Sequence, residues 1–499
     1  VVRFDNGRWW DGEGFVERTV FSIEGRLASD APAAVDSVVD LAGGWVVPPL
    51  ADAHDHALAD PTFEETSRGY LAQGVFYVQN PSSLRTLTAA VRPLAERPET
   101  VDVTYSLGSL TSTGGHPVQI YDRIAASLDG WTAERMPGEA YHLIDDAGDL
   151  AAAWPEIVAA GPDFLKVILE RSEEHESRRD DPAFYGRRGL DPELMPEVIE
   201  RAHAAGLRVV VHATSLEDVR TAVTAGADEL AHLPLEPLET EDAVAIASAG
   251  VVVTTTTLSH RPTDGVEDLD ALNRHNLEIL MAHDARLVLG TDSERSVLDE
   301  ADNLVRLGID PAVVLRLAVE ETARWIFPER DLGRLDDGAE ASFLVLAADP
   351  RGDLGALRWI RTAVKQGHPI DLSVEAELPG VAQALAHTLM RAGAGAALAE
   401  LERLETEEPG AWDFGEAQIN GLGYFALEHG RTEDAVTVFE ANTERHPDSS
   451  NVWDSLGDGL AAAGDTARAR QSYERALALD PAAEHTRDKL AALPEGRDR

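Results

Sequence analysis

Cysteine is absent from this chain of 499 residues, which excludes a disulfide scaffold, a thiol nucleophile and any thiolate metal site. A metal here would have to rest on histidine and carboxylate. Positive charge is scarce: 43 Lys and Arg stand against 89 Asp and Glu, a formal balance of −46 with His neutral. Such a surface repels phosphate backbones and anionic lipid, and no local basic patch relieves it, so nucleic acid is not expected as a partner. Lysine occurs only as Lys166, Lys365 and Lys489, which makes each a rare event. No apolar run approaches the roughly 20 residues of a membrane span. The chain begins Val1-Val2, which leaves room for a leader removed upstream. Compartment stays open between cytoplasmic and periplasmic or secreted.

What is present is enough apolar material, 44% of residues, to fill two to four cores. Residues 1–46 alternate short apolar pieces with turn signals (Asn6-Gly7, Gly12-Glu13-Gly14, Glu24-Gly25, Gly43-Gly44) and read as short antiparallel strands. Residues 333–372 return to that pattern around Phe343-Leu344-Val345-Leu346, so the two segments are expected to form one composite β-sandwich domain. Between them, over 47–332, apolar strands alternate with amphipathic helices. Strands are predicted at 45–51, 74–78, 101–107, 163–168, 207–211, 228–231, 251–253 and 286–290. Continuous Val/Ile/Leu runs mark strands buried on both faces, hence a parallel sheet covered by helices. Eight such units fit a (β/α)8 barrel, with an open doubly wound sheet as the alternative.

From 375 to 499 the chain reads as helical and repeats. Ile419, Leu422, Gly423, Ala426, Gly430, Ala435, Phe439 and Pro447 are matched 34 residues later by Trp453, Leu456, Gly457, Leu460, Gly464, Ala469, Tyr473 and Pro481. That is the tetratricopeptide period and pattern, two helices per repeat. Residues 380–408 read as a degenerate preceding pair. Such repeats bind a protein segment, self-associate or simply pack, and the pattern does not separate these.

Chemistry in a barrel sits at the C-terminal strand ends. After the first predicted strand comes Ala53-His54-Asp55-His56; residues i and i+2 of a strand share a face, so His54 and His56 can grip one cation. His212, His232 and Asp292 each end a later strand. Each alone reads as a turn histidine or a helix cap, but four His and one Asp at one end of one barrel favour a metal site. Lys166 lies inside the apolar strand Asp163 to Leu169, where a free ammonium is costly. The plain alternative is pairing with Asp163 or Glu170. A carbamate formed with CO2 would instead make it an anionic bridge.

This set resembles the amidohydrolase superfamily, and within it the imidazolonepropionase-like and prolidase-like hydrolases. The resemblance covers about residues 1–370 and extends to Pro48-Pro49, Thr113-Gly114-Gly115-His116, Gly290-Thr291-Asp292 and the closing Leu332-Gly333-Arg334-Leu335. It implies two divalent ions, zinc by preference: His54, His56 and Asp292 on the more buried one, His212 and His232 on the other, with N-carboxylated Lys166 between them. It further implies attack of a bridging hydroxide on an amide or related C–N bond of a small substrate such as a dipeptide, N-acyl amino acid or cyclic amide. Asp292 would be the proton carrier and His116 a contact to the carbonyl. Substrate contacts are sought at Tyr77, in the charged loop Glu170 to Leu190 at Tyr185 and Arg187, and at His260 after the seventh strand. The alternatives are a mononuclear deaminase of the same superfamily, which usually carries Glu shortly after the fifth-strand His where this chain has Ala213-Thr214-Ser215, and a non-catalytic scaffold acting through its repeats.

Overall fold

The computed structural model describes residues 1–128, 130–259, 266, 268–293, 296–370, 381–407, 412–428, 430–481 and 483–493. The chain divides into two units, Val1–Leu372 and Ser373–Arg499.

In the first unit, the two ends of the segment meet in one eight-stranded sheet, in which Phe343–Leu346 pairs antiparallel with Trp45–Val47 and that strand pairs with Val2–Trp10. The two segments expected to form one composite β-domain thus share a single run of hydrogen-bonded strands. Val2–Trp10 shifts register between Phe4 and Gly7, pairing Ser37–Asp40 with its first half and Trp45–Val47 with its second, and a bulge of this kind bends a strand enough to serve both. Phe4, Trp9 and Phe343 close its core edge to face, with Phe343 5.0 Å from each of the other two rings.

The barrel begins at Leu50–Asp52 rather than at Trp45, because Pro48 and Pro49 have no N–H for a ladder and separate the last strand of the β-domain from the first of the barrel. The second to eighth strands are Val75–Asn80, Asp102–Tyr105, Phe164–Ile168, Arg208–His212, Glu229–Leu230, Val252–Thr254 and Arg286–Val288. The third strand is interrupted after Tyr105, where Leu107 and Gly108 take φ of 55° and 113°. It resumes as Ser109–Thr111, which pairs with the fourth strand on one side and with Tyr141–Leu143 on the other. The amide of Ala53 donates to the Leu289 carbonyl and that of Asp163 to the Tyr105 carbonyl, both at 2.8 Å, closing a three-stranded and a seven-stranded sheet into one barrel.

The first unit carries a second apolar cluster apart from the barrel core. Leu84, Val118, Tyr121, Ala125, Met136, Ala140 and Tyr141 form it, on the segments that follow the second and third strands.

The second unit is helical: Val381–Ala392, Ala394–Glu407, Glu416–Glu428, Thr432–Arg445, Ser450–Ala462, Thr466–Leu479 and Glu484–Ala492. The repeat has a packing cause. A Cβ on Gly423 would lie 2.3 Å from the Phe439 ring, and one on Gly457 would lie 2.3 Å from the Tyr473 ring; only glycine lets the paired helices approach so closely.

Candidate metal and active site

Strand geometry delivers the side chains. His54 and His56 leave the first strand on the same side, His212 ends the fifth, and His232 and Asp292 follow the sixth and eighth. Asp292 is the hub. Its Oδ1 lies 3.7 Å from His54 Nε2 and 3.2 Å from His56 Nε2, while its Oδ2 lies 3.9 Å from His232 Nδ1. Among the described residues, His54, His232 and Asp292 offer ligand atoms all within 4.8 Å of one another. His54, His56 and His232 thus gather around Asp292. His212 stands beside this group, its ring 4.7 Å from that of His232 and stacked at 4.9 Å on His116.

Neighbouring groups aim these ligands. His56 Nδ1 lies 3.3 Å from the Ser82 carbonyl, and His232 Nδ1 lies 2.9 Å from Thr256 Oγ1. Partners on Nδ1 set ring orientation and tautomer and leave Nε2 for a cation. Thr256→Val is therefore expected to lower metal affinity by about 10–100-fold, measured by competition with a chelator. Asp52 fixes the turn from beneath, accepting from the amides of His54 and Thr291 and from Thr291 Oγ1. Gly290 is required by contact: a Cβ there would lie 2.4 Å from Thr254 Cγ2 and 2.9 Å from His54 Cβ. Gly290→Ala is expected to destabilise the fold by about 1–3 kcal/mol through overpacking, read as a lowered thermal midpoint, together with weakened metal binding because His54 must move.

Lys166 is 3% exposed and its Nζ has no hydrogen-bond partner. Neither expected partner takes it. Asp163 accepts from Arg92 and from the Tyr105 amide, and Glu170 Oε2 faces His212 Nε2 at 3.4 Å. Burial pushes the Lys166 ammonium down to about 8, with the charges of Asp292 and Glu229 working against that fall. Burial works to raise the Asp292 carboxyl, but His54 and His56, with Lys166 behind them, hold it far below the usual carboxylate range. Burial, reinforced by His212, lowers His116 to about 3, so it is a neutral imidazole at ordinary pH. A buried amine and a buried His54 Nδ1 without hydrogen-bond partners, beside an ionised carboxylate among three imidazoles, fit a divalent cation.

The cluster floors a cavity of about 470 Å³ whose lining includes His54, His56, His116, Lys166, His212, His232 and Asp292. The other proposed contacts fare differently. Tyr77 is fully buried level with Asp102, at the start of the neighbouring strand. Its hydroxyl lies 3.2 Å from Glu340 Oε1 and its ring packs on Phe327. It sits too early in the second strand to reach the mouth. Tyr185 is 48% exposed and donates to the Asp122 carboxylate. Arg187 is exposed, donating to the Ala183 carbonyl and lying over the Phe184 ring. Neither lines the cavity, because the Glu170 to Leu190 loop is tied down by the Gly186 amide on the Gly114 carbonyl, the His116 amide on the Arg188 carbonyl and the Leu190 amide on the Ile168 carbonyl. His260 lies outside the described residues.

Two features were missed in the sequence. One is the pairing of Glu170 with His212; the sequence offered Glu170 only as a partner for Lys166. The other is the apolar wall of the cavity, from Leu58, Leu84, Leu87, Ile120, Tyr121 and Ile124, for which the helical spacing of Ile120 and Ile124 was the only hint.

Residues 173–374 match the model of the amidohydrolase family, and residues 450–483 match the tetratricopeptide repeat. The chain carries an amidohydrolase family domain. Its relatives include an imidazolonepropionase of Pseudomonas putida (strain GB-1), 26% identical over 379 residues that cover 69% of this chain and 90% of the relative. Among solved structures, a protein described as an amidohydrolase superposes with a TM-score of 0.59 at 21% identity, covering 75% of this chain and all of the other. A Xaa-Pro dipeptidase with bound methionine superposes at 0.60 and 16% identity, covering 74% and 99%. The likenesses to solved structures are to the barrel and β-domain architecture, while the two family matches fall in separate stretches of one chain.

Proposed function

We propose that this chain is a metal-dependent hydrolase that cleaves an amide or related C–N bond of a small substrate. The observation that carries this reading is the Asp292-centred group of imidazoles beside an unpartnered buried lysine, at the floor of a cavity. His54, His56 and Asp292 would hold one divalent ion, and His212 and His232 a second, with N-carboxylated Lys166 shared between them and zinc the ion these ligands favour. Bound there, such ions polarise a carbonyl and lower the pKa of an attacking water. The remaining work falls to the chain itself. Asp292, ionised and with two oxygens facing different imidazoles, accepts the proton of the attacking water and passes it to the leaving nitrogen. His116, neutral and lining the cavity, donates to the carbonyl oxygen as negative charge develops on it.

The test is elemental analysis of protein purified without chelator and with bicarbonate present, followed by a screen of dipeptides, N-acyl amino acids and cyclic amides. About two metal equivalents per chain and hydrolysis of an amide are expected. One equivalent with release of ammonia from an amino-substituted ring would replace the proposal with a deaminase. No metal after reconstitution with zinc would reduce the barrel to a scaffold.

A further inference from the structure

We infer that the substrate is an electrically neutral amide, carbamate or urea bearing a bulky apolar group, and not one anchored by a free carboxylate; this rests on the hydrolase reading above and narrows it.

The first ground is the apolar part of the cavity lining. Leu84 and Leu87 come from the start of the helix Arg85–Val91, Ile120 and Ile124 from one face of Val118–Ser127, and Leu58 from the loop after the first strand. Leu87, Ile120 and Ile124 are only partly buried, so they present apolar surface to the cavity that a ligand would cover. The wall is held in place. Leu84 and Tyr121 belong to the second apolar cluster, Leu87 and Ile124 pack against it, and the Tyr121 hydroxyl is taken up by Ser82 Oγ at 2.8 Å. What faces the cavity from Tyr121 is therefore its ring.

The second ground is charge. Among the described lining residues Lys166 is the sole Lys or Arg, and it stands at the floor within the metal cluster. Two arginines of the Glu170 to Leu190 loop point their terminal nitrogens elsewhere: Arg187 to the Ala183 carbonyl, over the Phe184 ring, and Arg188, 9% exposed, to the Thr113 and Asp181 carbonyls. Asp60 is the charged residue at the exposed edge of the lining, and the whole chain carries −46. An anionic ligand would meet repulsion on approach, and among the described lining residues no arginine offers it a bidentate partner.

The experiment compares two amides of the zinc-loaded full chain that differ by one carboxylate: N-phenylacetyl-L-leucine and N-phenylacetyl-3-methylbutylamine. The neutral compound is expected to have a kcat/KM at least about tenfold higher, and N-acetyl-3-methylbutylamine, which lacks the ring, to fall at least about tenfold below it. Leu87→Arg, and separately Ile124→Arg, should narrow or reverse the preference by supplying the missing cation. Preference of the unaltered protein for the carboxylate, or indifference to the ring, would overturn the inference while leaving the hydrolase intact. If none is hydrolysed although metal is bound, calorimetric binding of the neutral amide over the acid still supports the class, and equal or absent binding overturns it. Absence of both metal and turnover would instead overturn the hydrolase reading itself.

Discussion

Asp292→Asn is expected to lower kcat by about 10²–10⁴-fold, the range attributable to a lost proton carrier, while fold and metal content persist. The asparagine keeps an oxygen for the cation and loses the negative charge and the site for a proton. The unaltered carboxyl is surrounded by His54, His56 and His232 and held well below its ordinary range, so across neutral pH it is an ionised base. Its two oxygens already divide between partners, Oδ1 toward His54 and His56 and Oδ2 toward His232, which is the arrangement a ligand needs if it is also to carry a proton. Parallel measurement of kcat and of metal per chain separates the two roles. Loss of metal would make Asp292 a ligand first, and an unchanged rate would remove it from the chemistry.

Lys166→Ala is expected to halve the metal content, from about two equivalents to about one, and to abolish turnover. A buried amine without a hydrogen-bond partner costs free energy unless something completes it. Lowered to about 8, this amine has an appreciable neutral fraction at ordinary pH, and the neutral form is the one that adds to CO2. The product is a carboxylate-like anion that two cations can share. Alanine leaves a void near the cluster where a small carboxylate fits, so acetate or formate should restore part of the metal content and activity. Rescue by acetate but not by methylammonium would identify the negative charge as the missing element. Full metal content in the variant would reduce Lys166 to a packing residue.

Much of the site could be read directly because its logic is local. A period-two spacing puts His54 and His56 on one side of a strand, and His212, His232 and Asp292 announce themselves by ending apolar runs. Lys166 stood out through rarity and placement. What failed was whatever depended on how far along a strand a side chain sits or how a loop folds. Tyr77 has the right chemistry three residues too early, so it meets Glu340 and Phe327. Tyr185 and Arg187 lie in a long charged loop that looked free, but backbone hydrogen bonds to the third-strand loop turn them away from the cavity. Trp45–Val47 read as the start of the barrel, and two prolines gave it to the other sheet.

The sequence by itself determined the architecture of both units, since strand and helix periods, the Pro and Gly breaks and the 34-residue repeat are short-range properties of the chain. It also determined which residue types stand at the barrel's C-terminal end. The tertiary structure alone decided how those residues group: His54 and His232 about Asp292, Glu170 against His212, and Leu84, Leu87, Ile120 and Ile124 lining the same cavity as the candidate ligands. Those contacts join segments far apart in the chain, and their geometry follows from barrel closure and loop packing, to which no local pattern of residues is sensitive.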